Sequence, residues 1–131
     1  MNDPAMIDDA LFAVTDSINK AKNRIGRDEP VTLVAVSKQQ PDERIDAALD
    51  AGQRVFGENR VQEAMSRWAH RRASYPDLTL HLIGPLQTNK AEEAVALFDV
   101  IEVLDREKLA AALAKEMAKQ DRHLPCLVQV N

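Results

Sequence analysis

Residues 31–59 read VTLVAVSKQQPDERIDAALDAGQRVFGEN, and this stretch decides the fold class. VTLVAV (31–36) is β-branched and continuously apolar, the pattern of a strand covered on both faces. Pro41 and Asp42 then open a helix in which Ile45, Ala48 and Leu49 share one face, and Gly52 closes it. RVFG (54–57) is a second short strand. Two strands joined through a helix are a parallel pair with a crossover connection.

The same unit repeats along the chain. ENRVQEAMSRWAHRRA is a helix burying Val61, Met65 and Trp68, and LTLHLIG (78–84) is a third strand. TNKAEEAVALF is the next helix and VIEVL (100–104) the fourth strand. DREKLAAALAKEMAKQ follows, with Asp105 as its cap and Leu109 and Leu113 inward, and LPCLVQVN (124–131) is a fifth strand. HRRASYPD (70–77) reads as an exposed turn. Upstream, a helix runs from Pro4 to about Arg24, capped by Asp3 and stopped at Gly26, with Ile7, Leu11, Val14, Ile18 and Ile25 at helical spacing. Alternating strands and helices give an α/β fold with a parallel sheet. Two architectures satisfy the pattern: a complete five-stranded doubly wound sheet, which periodicity alone favours, and part of a (β/α)8 barrel, since a whole barrel needs roughly 250 residues.

Composition bounds the function. The chain has 131 residues, 45% hydrophobic and 29% charged, with a formal net charge of −4. That balance suits one globular domain and argues against a nucleic-acid surface, which shows a basic patch or stripe. The single cysteine, Cys126, has no intrachain disulfide partner, which fits a reducing, cytoplasmic setting. The opening MNDPAMIDDALFAV carries acids where a signal peptide carries bases, and no apolar run reaches the length of a membrane span.

Ligands gather at the C-terminal ends of parallel strands, and Lys38 sits just past the first. Strand ends can desolvate a lysine, which favours the neutral amine that attacks carbonyls. The plainer reading is a surface lysine in a βα loop. Past the second strand, Gly57 allows tight backbone geometry, Asn59 presents an amide at the same rim, and Glu58 and Arg60 flank it. Glu58, Asn59 and Arg60 are ligand contacts on one reading; on the other, Glu58 or Asn59 caps the next helix. Past the third strand come Gly84, Pro85, Gln87, Thr88 and Asn89, with Thr88 a helix cap, Lys90 a solvated helix residue and His81 a packed histidine inside the strand. His70, His81, His123 and Cys126 have no metal-ligand spacing, and no dinucleotide fingerprint, P-loop or nucleophile elbow occurs.

LVAVSK (33–38), FGENRVQE (56–63) and HLIGPLQTNK (81–90), in this order and spacing, resemble the pyridoxal phosphate homeostasis proteins, also called the YggS or PROSC family. VIEVLDREKLA (100–110) and the closing LVQVN (127–131) follow the same pattern. The resemblance implies the (β/α)8 TIM-barrel type of the alanine racemase N-terminal domain. About five of eight strands are present, behind an N-terminal helix, making 1–131 a single, incomplete domain. It also implies that pyridoxal 5′-phosphate is held as a Schiff base on Lys38, that Asn59 lines the cofactor pocket, and that the protein serves cofactor homeostasis without robust catalysis. The alternatives are an amino-acid racemase-like enzyme using the same cofactor, and a cofactor-free α/β interaction module. A racemase needs acid/base groups on both faces of the substrate carbon, and no second one accompanies these motifs.

The sequence ends at its fifth predicted strand, whereas the family continues through three more strands that carry a Ser- and Gly-rich phosphate cradle. The resemblance therefore implies a fragment with weakened phosphate binding. The full-length family is expected to be monomeric and to have no nucleic-acid or membrane partner, while the open strand edges of a half barrel invite self-association.

Overall fold

A computed structural model describes residues 4–130. Helix α1 (Pro4–Ile25) precedes strand β1 (Ala35–Val36), α2 (Asp42–Asp50), β2 (Val55–Glu58), α3 (Val61–Trp68), β3 (Thr79–Leu82), α4 (Ala91–Leu97), β4 (Val100–Leu104), α5 (Glu107–Gln120) and β5 (Cys126–Val128). Short 3₁₀ turns at Ala69–Arg71 and Thr88–Lys90 extend α3 and lead into α4.

The strands pair in chain order, β1-β2-β3-β4-β5, and every pair is parallel. This order corrects the doubly wound alternative. A doubly wound sheet reverses direction at a switch point, which sends its helices to opposite faces. An unreversed parallel order with right-handed crossovers puts the helices on one face, as in the wall of a (β/α) barrel.

The core forms on that face. Phe56, Leu80, Leu82, Ile101 and Val103 alternate along the strands and meet Ile45, Leu49, Trp68, Ala94, Val95, Leu109 and Leu113 from the helices. Full burial of each large aliphatic or aromatic side chain contributes about 1.5–3 kcal/mol. Phe56 and Trp68 hold ring centroids 4.5 Å apart at a 43° tilt. At the N-terminal ends of the strands, Asp99 accepts hydrogen bonds from Arg72 (2.7 Å), Arg122 (3.0 Å) and the backbone N–H of Leu80 (2.8 Å). This carboxylate ties α3's trailing segment, β3 and α5 together beneath the sheet.

Several expected boundaries shift. The 31–36 strand shortens to two paired residues, and Val31 and Val36 are 43% and 50% exposed rather than covered on both faces. β1 is an edge that pairs with β2 alone among the described residues, so half its surface has no neighbour. The fifth strand likewise shortens to Cys126–Val128, with Leu127 and Val128 exposed. α3 buries Val61, Ala64 and Trp68, whereas Met65 lies outward. Asp105 pairs with Arg106 and caps no helix, because α5 begins at Glu107 with Arg106 at its cap position. Thr88 begins a 3₁₀ turn instead of capping α4. The 70–77 segment is less exposed than expected: Arg71 is buried and bonded to Asp42 and Asp46 of α2. Gly26 takes φ +67° after α1, as a helix stop does. α1 covers the sheet loosely, with a cavity of about 360 Å³ between Leu11, Leu33, Ala35, Ile45 and Phe56, and Val14 and Ile25 remain exposed. The proposed Asp3 cap lies outside the described residues.

Candidate functional site

Register places the candidate residues. Val36, Gly57, His81 and Val100 pair across four strands in one row. They alternate with the core residues and so point away from the helices. Two residues further along each segment are Lys38, Asn59 and Ile83, past the C-terminal ends of their strands, and Glu102, inside β4. The ladder continues past the strand ends through Ser37 N–H to Gly57 O (3.0 Å) and Ile83 N–H to Glu58 O (2.9 Å). Lys38 and Asn59 are thus brought to neighbouring positions on one rim.

Lys38 is exposed, so the expected desolvation by the strand ends is not met by the described residues. The chain turns immediately after it: Gln39 takes φ +59°, and Gln40 N–H reaches back to Ser37 O (3.2 Å). What fixes this turn is underneath it. Glu58 is fully buried and accepts from Ser37 Oγ (2.5 Å), Trp68 Nε1 (2.9 Å) and Arg67 Nη1 (2.9 Å). Three charge-assisted hydrogen bonds offset the cost of burying the carboxylate. Glu58 is therefore neither a ligand contact nor a cap; α3 starts after Arg60 without a side-chain cap. It anchors the residue before Lys38 to α3. The sequence carried a signal for this: Glu58 has the same strand parity as the core residue Phe56.

Asn59 is half-buried, and its backbone is held from the next loop. A Cβ added at Gly84 would lie 2.3 Å from Asn59 O and 2.7 Å from its Cα. Only glycine allows this approach. Gly57 is similarly enclosed, with Ile83 and Val34 side chains each 3.1 Å from where a Cβ would stand. The GEN and IGP segments are interlocked at backbone level.

His81 is more than packing. Its Nδ1 lies 2.7 Å from Glu102 Oε2 on the face away from the helices, and both side chains keep some solvent access. The sequence reading had not paired them, although register now makes them near neighbours. Tyr75, the chain's one tyrosine, precedes β3 and so lies at the opposite end of the sheet, beside Arg54. Among the described residues, no group of His, Cys, Asp and Glu could hold a metal ion, and no helix is long and apolar enough to cross a membrane.

A parallel sheet in sequential order, with a lysine past β1 and interlocked loops past β2 and β3, has counterparts among known proteins. The family model "Alanine racemase, N-terminal domain" matches residues 10–131. The chain belongs to that family. It is 41% identical over 123 residues to the pyridoxal phosphate homeostasis protein of Escherichia coli K12 and 40% identical over 121 residues to that of Vibrio alginolyticus. These matches cover 92% and 90% of the chain, but 53% and 52% of the relatives. The structure of PipY from Synechococcus elongatus, solved with PLP bound, superposes with a TM-score of 0.80 at 39% identity, covering 95% of this chain and 54% of PipY. The chain thus spans about half the length of the proteins it resembles.

Proposed function

We propose that residues 1–131 form one incomplete barrel domain that binds pyridoxal 5′-phosphate through Lys38, beside Asn59, and serves cofactor homeostasis without robust catalysis. The observation that carries this reading is the rim itself: Lys38 and Asn59 stand past neighbouring strands, each held by the segment beside or beneath it. The residues present suit the aldehyde end of the cofactor. Lys38 offers an exposed amine, and Asn59 a neutral amide with donors and acceptors.

When bound, the cofactor would supply a reversible carbonyl, and Lys38 would be the amine that holds it. The protein's part is placement. Ser37, held by Glu58, sets where the chain leaves β1, and Gly84 sets the path of Asn59. A link of that reversible kind would let the chain hold the cofactor and release it. A cytoplasmic setting fits a protein of this kind.

Absorbance titration of the purified chain with pyridoxal 5′-phosphate, followed by borohydride reduction and peptide mapping, tests the reading. Reduction converts the imine to a stable secondary amine. The expected result is a modified Lys38 peptide, lost in Lys38→Ala. Labelling scattered over many lysines, equal in the variant, would overturn it. Incubating the loaded chain with L-alanine tests the non-catalytic part, and appearance of D-alanine dependent on Lys38 would favour the racemase-like alternative.

A further inference from the structure

The rim holds a second feature that the lysine chemistry does not use. A cavity of about 500 Å³ opens between the loops after β2 and β3, lined by Asn59, Arg60, Gln62, Leu86, Gln87 and Lys90 among others. That volume lies in the range of small-molecule sites. No carboxylate is among its lining residues. Lys38 does not line it either, and Asn59 is the one residue it shares with the proposed cofactor site.

Its lining is one-sided in charge, with two cations and no carboxylate, and Arg60 is one of three arginines, with Arg24 and Arg44, that face no carboxylate among the described residues. Arg54, Arg67, Arg71, Arg72, Arg106 and Arg122 each face a carboxylate within ion-pair distance. Arg60 faces none among the described residues, although it sits among those same segments, and the Lys90 side chain has no partner either. Two unpaired cations therefore share one concavity with three primary amides and an apolar floor that includes Leu86. Leu86 is buried and its carbonyl accepts from Arg106 Nη2 (2.8 Å), so the floor is fixed from behind. The first turn of α3 lines the same space without a side-chain cap and adds partial positive charge. A guanidinium fork, an ammonium and amides over an apolar floor are complementary to a small organic anion: the head meets the cations and the body meets Leu86.

We infer that the Arg60–Lys90 cavity is a binding site for a small organic anion with a phosphate or carboxylate head, separate from Lys38. The ¹⁵N-labelled chain titrated with phenyl phosphate and with benzoate provides the test. The expected result is saturable shifts of the side-chain amides of Asn59, Gln62 and Gln87. Affinity should fall at least about tenfold in the Arg60→Gln/Lys90→Gln double variant and weaken with added salt. Lys115→Gln, on the exposed face of α5, should leave it unchanged. Tighter binding of phenyl phosphate assigns a phosphomonoester, tighter binding of benzoate assigns a carboxylate, and either upholds the site. Shifts that persist in the double variant, spread over surface lysines, or appear equally with neutral phenol would overturn it. Lys38→Ala separates the two sites: it should abolish cofactor trapping and leave these shifts intact, and their loss in that variant would refute a separate site.

Discussion

Glu58→Ala removes the buried carboxylate that accepts from Ser37 beneath the Lys38 turn. Its cost can be worked from the contacts. Arg67, 14% exposed in its side chain, would keep a charge without its partner, and Trp68 Nε1, fully buried, would keep an unpaired N–H. Ser37 loses less, because its hydroxyl already lies 3.4 Å from Gly57 O and can turn to it. Breaking a buried ion pair from one side costs about 3–5 kcal/mol, and each stranded neutral donor about 1–3 kcal/mol. The terms overlap, since one carboxylate serves all three donors, so the expected loss is about 4 kcal/mol. A domain with a typical stability of about 5–15 kcal/mol would feel this strongly. Glu58→Gln keeps one acceptor oxygen but turns an NH₂ toward a donor, for a loss of about 2 kcal/mol. Urea unfolding followed by fluorescence is the assay, and Trp68, the chain's one tryptophan, reports from within the network. A loss below about 1 kcal/mol for Glu58→Ala with unchanged m-value would refute the view that this carboxylate holds the turn.

Two other outcomes follow from the same geometry. Gly84→Ala must displace the Asn59 backbone, so it should destabilise by about 1–3 kcal/mol and lower trapping of pyridoxal 5′-phosphate at Lys38; urea unfolding and peptide mapping read the two effects, and a wild-type value for both would count against the interlock. Burial pushes the Cys126 thiol up, so it stays protonated at neutral pH and should react with iodoacetamide more slowly than in the urea-unfolded chain. The sign follows: the folded chain holds this proton to higher pH than the unfolded one, so the associated stability is present at neutral pH and lost as pH rises through the thiol's range; equal alkylation rates in both states would contradict it.

Much of the fold was legible because the crossover helices α2, α3 and α5 each carry their own apolar stripe, whereas that of α1 stays largely uncovered. Ile45, Ala48 and Leu49, Val61 and Trp68, and Leu109 and Leu113 are buried as their spacing requires. What failed depended on neighbours that sequence does not show. A continuous apolar run such as VTLVAV reads as a doubly covered strand whether or not a second neighbour exists, and β1 has one. Met65 and Ala64 are adjacent, and only the depth of the groove beneath α3 decides that the smaller one enters. Strand order was also illegible: alternation gives parallel pairing, but reversal or its absence is a tertiary property. At the site, Lys38 and Asn59 were placed on the rim by position alone, and the structure brings them there. For Glu58 the sequence leaves ligand contact and helix cap open, and the structure gives it neither role, because its three donors lie on residues 37, 67 and 68.

The rim is therefore ordered from below. Ser37 is tied through Glu58 to α3, and Asn59 is seated against Gly84, while Lys38 itself stays exposed. This division of labour has a chemical consequence. An exposed lysine gains no reactivity toward carbonyls from burial, so selectivity among the chain's lysines has to come from positioning of the neighbouring groups. Positioning of that kind is a property of the two interlocks, one from the edge strand β1 to Glu58 and one between the β2 and β3 loops. The amine's placement thus depends on one link from the edge strand β1 to Glu58 of β2, whereas the amide's placement rests on the β2–β3 approach inside the sheet.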